Sequence, residues 1–114
     1  MRCGQFFSCD INNLGNIKSA FRRGFNLSEV SNIDDVTFTG DINNRGNIIG
    51  DSDGIFVADP VTLDGSINNR GSILSERDNG IDIQGSVTGE INNSGLIQAP
   101  DFAIDGDRAN NALT

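Results

Sequence analysis

Acidic side chains are the first residues here that could do chemistry. In Gly50-Asp51-Ser52-Asp53-Gly54, two aspartates flank a serine and precede a glycine, as at the start of a calcium-binding EF-hand loop. The ligands such a loop needs at its positions seven to twelve would fall on Val57 to Thr62, where no glutamate stands. The string therefore reads as a polar turn between strands. Asp10, Asp41 and Glu90, with Ser66 between them, occupy one recurring position, and paired carboxylates can serve glycosidic chemistry. Stacked like charges of this kind are read here as a solvated face. Arg45 and Arg70 form a short basic stack that could meet an anion. Thr37, Thr62 and Thr88 read as an outward hydroxyl column, but the next column, Thr39, Asp64 and Glu90, breaks the flat hydroxyl surface that ice binding wants.

What is missing narrows the chemistry further. The chain has no His, Tyr or Trp and one lysine, Lys18. It therefore has no Ser-His-Asp or Cys-His nucleophile system, no imidazole base and no His-ligated metal. Cys3 and Cys9 lie in the first nine residues, where a local bridge, two free thiols and residues foreign to the natural chain are all open readings. No catalytic, cofactor or metal site is expected, and no cofactor is implied.

Those residues must be positioned by something, and the composition says by what. The 114 residues include 15 Asn, 14 Gly and 14 Ile against six Leu and two Pro, a mixture that favours turns and β-structure over helix. A formal charge of -8 makes a non-specific grip on nucleic acid or anionic membrane unexpected. No segment approaches membrane-spanning length, and the opening residues lack the apolar run of a secretory signal.

The dominant signal is an internal repeat, INNxGxI, which begins at Ile11, Ile42, Ile67 and Ile91. Each copy carries a Gly (Gly15, Gly46, Gly71, Gly95) and then an Ile (Ile17, Ile48, Ile73, Ile97) at fixed offsets. Two further registers travel with it. One is Val36-Thr37-Phe38-Thr39-Gly40, Val61-Thr62-Leu63-Asp64-Gly65 and a shorter Val87-Thr88-Gly89; the other is Gly24-Phe25-Asn26-Leu27, Gly54-Ile55-Phe56-Val57, Gly80-Ile81-Asp82-Ile83 and a worn Phe102-Ala103-Ile104.

By parity, Val61, Leu63, Gly65, Ile67, Asn69, Gly71 and Ile73 share one side, and Thr62, Asp64, Ser66, Asn68, Arg70 and Ser72 the other. One apolar face and one wet face define half-buried strands. A unit of 24 or 25 residues with strands between Gly and Asn turns can wrap once and sit on its predecessor, which predicts an all-β parallel β-solenoid of about four coils. Helix has room only around Ile17 to Arg23. The inward Asn13, Asn44, Asn69 and Asn93 are expected to form a ladder, because a buried amide is costly unless its donor and acceptor are both used. The recurring glycines fit a corner or a crowded inward position. Leucine-rich repeats have a similar period, but their LxxLxL signature is missing.

Strings such as GSINNRGSI (65–73) and GSVTGEINNSGLI (85–97), joined by GIDI-type segments, resemble the repetitive passenger regions of bacterial autotransporters and related surface adhesins over residues 10–106. The resemblance implies a right-handed, single-stranded parallel β-helix, extracellular or on the bacterial surface, with Ile, Asn and Gly as scaffold. It implies a structural or adhesive module whose partners would be a host surface, a polysaccharide or a protein. A carbohydrate-binding or lyase/epimerase-like protein is the alternative on the same scaffold, and an ice-binding solenoid another.

Residues 1–9 and 107–114 fall outside the repeat and read as tails or partial caps. The spacing of 31 residues between the first two copies, against 25 and 24 for the others, predicts an exposed excursion within Ser28 to Asp35. Poorly capped end coils would invite end-to-end self-association.

Overall fold

A computed structural model describes residues 10–27, 37–59 and 61–106. The expected insertion at Ser28 to Asp35, both tails, Cys3 and Cys9 lie outside the described residues. Fifteen short strands and no helix occur among those described. They form four parallel sheets that the chain visits in turn, so the fold is all-β and a parallel β-solenoid.

The INN strings build the first sheet: β1 (Ile11–Asn13), β5 (Ile42–Asn44), β9 (Ile67–Asn69) and β13 (Ile91–Asn93). After the glycine corner comes the second, with β2 (Asn16–Lys18), β6 (Asn47–Gly50), β10 (Ser72–Ser75) and β14 (Leu96–Gln98). The third holds β3 (Phe25–Leu27), β7 (Ile55–Val57), β11 (Ile81–Ile83) and β15 (Ile104–Asp105). The fourth holds β4 (Thr37–Thr39), β8 (Thr62–Asp64) and β12 (Ser86–Val87). Pairing places identical residues on one another: Ile11 on Ile42 on Ile67 on Ile91, and Ile17 on Ile48 on Ile73 on Ile97.

A single narrow core follows from that register. Ile42, Ile48, Ile55, Val57, Leu63, Ile67, Ile73, Ile81, Ile83, Val87 and Ile91 are all buried, and every strand of a coil contributes to it. A modest apolar share is sufficient because each β-branched residue packs against its own kind above and below as well as across the coil.

Two expectations change. Residues 17–23 are not helical: Ile17 is in β2 and continues the second isoleucine column, so stacking on Ile48 outweighs any local helical preference. The fourth sheet also has a different register at its third copy. Ser86 pairs with Thr62 and Val87 with Leu63, which puts Val87 in the column of Phe38 and Leu63 and not in that of Val61. The shared unit is the apolar residue that fills the core, and the Val-Thr string of the third copy is displaced from it by two residues.

The recurring glycines exist for space. A Cβ on Gly46, Gly71 or Gly95 would strike the carbonyl oxygen of Gly15, Gly46 or Gly71 respectively, so coils at this corner touch backbone to backbone. None of these three has a positive φ; among the described residues Gly40, at 141°, is the glycine that does. The corner is also hydrogen-bonded from coil to coil: the Asn44 carbonyl accepts the N–H groups of Arg70 (2.7 Å) and Gly71 (3.1 Å), and the Asn69 carbonyl those of Ser94 and Gly95.

Candidate functional site

The first sheet carries two amide ladders. Inside, Asn13 Nδ2 donates to Asn44 Oδ1, Asn44 Nδ2 to Asn69 Oδ1 and Asn69 Nδ2 to Asn93 Oδ1, each at 2.8 Å. The second proton of Asn44 Nδ2 serves the carbonyls of Gly46 and Ser72, and that of Asn69 serves Gly71 and Leu96. The expected ladder is therefore present, with the side-chain amides of Asn44 and Asn69 engaged as both donor and acceptor, in strand residues and not at the corner itself. Outside, a second ladder runs the opposite way: Asn43 donates to Asn12 (3.0 Å), Asn68 to Asn43 (2.8 Å) and Asn92 to Asn68 (2.9 Å). Parity places its members on the wet face without pairing them; the doubled Asn in every INN string is the sequence signal for it.

Beside the outer ladder, Arg45 and Arg70 follow directly on β5 and β9, and their side chains are exposed. Among the described residues neither makes an ion pair. With Asn43, Asn68, Asn92 and Ser94 they border a groove of about 710 Å³ along the stack. Neighbouring coils are ~4.8 Å apart, so the groove offers amides and guanidinium groups at a fixed short period. Such a surface can hydrogen-bond and ion-pair with an extended, oxygen-rich anion. Its lining holds no carboxylate, histidine, cysteine or lysine among the described residues.

A second polar cluster sits at the turns leading into the third sheet. There the Asp51 and Asp53 carboxylates are engaged with guanidinium groups. Arg77 pairs with Asp51, and Arg23 Nε donates to Asp53 Oδ2 (3.3 Å) while the Asn79 N–H donates to Asp53 Oδ1 (3.3 Å). Arg23 also lies over the Phe56 ring, its guanidinium carbon 3.8 Å from the centroid. Phe56 and Asp82 point outward by parity yet are each only 7% exposed, so the outward positions of β7 and β11 are covered. Burial, reinforced by the nearby Asp53, pushes the Asp82 carboxyl up to about 6, although a hydrogen bond from Gln84 opposes the shift. Burial likewise raises Asp53, against the Arg23 and Asn79 hydrogen bonds that lower it. The sequence carries a signal for this cluster beyond the Asp-rich turn: Arg23, Asp53 and Asn79 each immediately precede a glycine of the Gly24, Gly54, Gly80 register.

The remaining acidic column has a structural task. Asp10 Oδ1 accepts the Asp41 N–H (2.9 Å), Asp41 Oδ1 the Ser66 N–H (2.8 Å), and Ser66 Oγ the Glu90 N–H (3.0 Å). Each side chain thus holds the backbone of the next coil, and Glu90 belongs to this column alone. The threonines separate: Thr37 and Thr62 continue into Ser86, whereas Thr88 follows Thr39 and Asp64 and donates its hydroxyl to Asp64 (2.7 Å). Among the described residues, no group of three or more His, Cys, Asp or Glu could hold a metal ion.

Compared with known proteins, the chain matches no family model, no curated protein and no solved structure.

Proposed function

We propose that this chain is a structural or adhesive β-helix module of an exported bacterial surface protein, a rigid scaffold that presents side chains in columns. One observation carries the reading: the polar groups that could do chemistry are used to hold coil to coil. Asp10, Asp41 and Ser66 accept backbone N–H groups, Asp53 is held by Arg23 and Asn79, and the asparagines occupy one another. What stays free is a regular outward surface, and repeated shallow contacts along a rod suit adhesion to an extended partner.

The Arg45 and Arg70 groove favours the carbohydrate-binding form of this reading over an enzymatic one, since it offers donors without acid–base equipment. Calorimetric titration with polygalacturonate, alongside an assay for unsaturated uronate products, separates the two. Binding without turnover, lost in the Arg45→Ala/Arg70→Ala double variant, is expected. Product formation abolished by replacing a single aspartate would establish a lyase instead.

A further inference from the structure

The two end coils are complementary in four independent respects, and we infer that copies of this chain associate head to tail, residues 10–27 of one docking on residues 90–106 of another. Hydrogen-bond polarity is the first. At the coil containing Asn93, the inner ladder ends on an amide donor and the outer ladder on the Asn92 acceptor; at the coil containing Asn13, the inner ladder begins on an acceptor and the outer one on the Asn12 donor. Joining unlike ends continues both ladders, whereas joining like ends sets donor on donor in one ladder and acceptor on acceptor in the other. Corner backbone obeys the same rule, because each coil donates from the residues after its second Asn to the carbonyls of the coil before it.

Charge is the second. Residues 10–27 hold Lys18, Arg22 and Arg23 against Asp10, a net +2, while residues 90–106 hold Glu90, Asp101 and Asp105 and no base, a net -3. Unlike ends attract and like ends repel. The column that ends on Asp101 resumes on Arg22, which makes no ion pair among the described residues. Third, most apolar columns are only half-buried at the ends: Ile11, Ile17, Phe25 and Leu27 on one side, Ile97 and Ile104 on the other, compared with 0–1% exposure for Ile48, Ile67 and Ile81 in the middle coils; Ile91, at 1%, is the end residue that is already covered.

Gly15 is the fourth and supplies the test. A Cβ on Gly46, Gly71 or Gly95 collides with the preceding coil, yet a Cβ on Gly15 meets nothing within 4 Å, because no described coil precedes it. In a head-to-tail stack Gly15 would lie against Gly95 of the next copy as Gly46 lies against Gly15. A heterologous contact of this kind does not close on itself and propagates as a filament.

Sedimentation velocity of the full chain over a concentration series should show association that weakens with added salt. Gly15→Ala should leave the circular dichroism and melting of the dilute chain unchanged and weaken association by more than about tenfold. Arg22→Asp should weaken it too, and Arg22→Asp/Asp101→Arg should restore it, which a non-specific aggregate would not do. A chain that stays monomeric at millimolar concentration overturns the inference, as does a Gly15→Ala variant that associates like its parent. Association that appears only after deletion of residues 1–9 also overturns it, by showing that this segment occupies the end.

Discussion

At the scale of single residues, position in the ladder decides what an asparagine is worth. Asn69 is 1% exposed and its amide holds Asn93, Gly71 and Leu96 while accepting from Asn44. Asn69→Ala should cost ~1–3 kcal/mol in chemical denaturation, because it strands buried partners. Asn68→Ala removes a half-exposed amide whose neighbours can turn to water, and should cost under about 1 kcal/mol. The charged residues divide in the same way. Arg23→Ala leaves Asp53, whose side chain is 3% exposed, without its cation and should destabilise by ~1–3 kcal/mol. Arg77→Ala, from a side chain 70% exposed, should have little effect. Asp82 gives a pH signature. Its folded pKa of about 6 lies above the ~3.9 of an unfolded aspartate, so between these values the native state binds more protons. Stability should therefore fall as pH rises through roughly 4 to 6 and stay low above it. In thermal melts across pH, Asp82→Asn should flatten that dependence and raise stability at neutral pH.

At the scale of elements, strands of two to four residues cannot persist alone, and each is held by the coils on either side. The glycine corner is the least tolerant place in this arrangement. Gly71→Ala would drive a methyl group into the Gly46 carbonyl and open the corner, and loss of the cooperative melting transition is expected. Legibility in sequence followed physical uniqueness. The INNxGxI register was readable because a buried amide and a crowded glycine each tolerate almost no substitute. The fourth sheet was harder: its core position accepts Phe38, Leu63 or Val87 alike, so the string Val87-Thr88-Gly89 suggested a register shifted by two residues from the real one. Ile17 to Arg23 looks helix-capable in isolation for a related reason, since nothing local records that Ile48 will sit on Ile17.

For the whole molecule, a stack with two opposed amide ladders has a direction, and its ends differ in charge, hydrogen-bonding sense and steric room. A rod of this design gains length by adding coils without any change in cross-section, since each coil meets only its neighbours. Stability should accordingly fall most at the ends. Hydrogen exchange should protect the amides of β5, β6, β9 and β10 more than those of β2 and β14, whose strands lie at sheet edges among the described residues.

The sequence by itself determined the repeat, the parallel stacking and the inner ladder, because these depend on identical residues recurring at one period, and identity is visible without coordinates. The tertiary structure decided what the remaining polar residues do. Whether Asp53 faces a metal ion or a guanidinium group, whether Phe56 and Asp82 are wet or covered, and which way each amide donates depend on contacts between residues some 20 to 30 positions apart, such as Arg23 with Asp53 and Thr88 with Asp64. Those partners are chosen by the path of the chain around the coil, of which the sequence carries only the shared register, as where Arg23, Asp53 and Asn79 each precede a glycine.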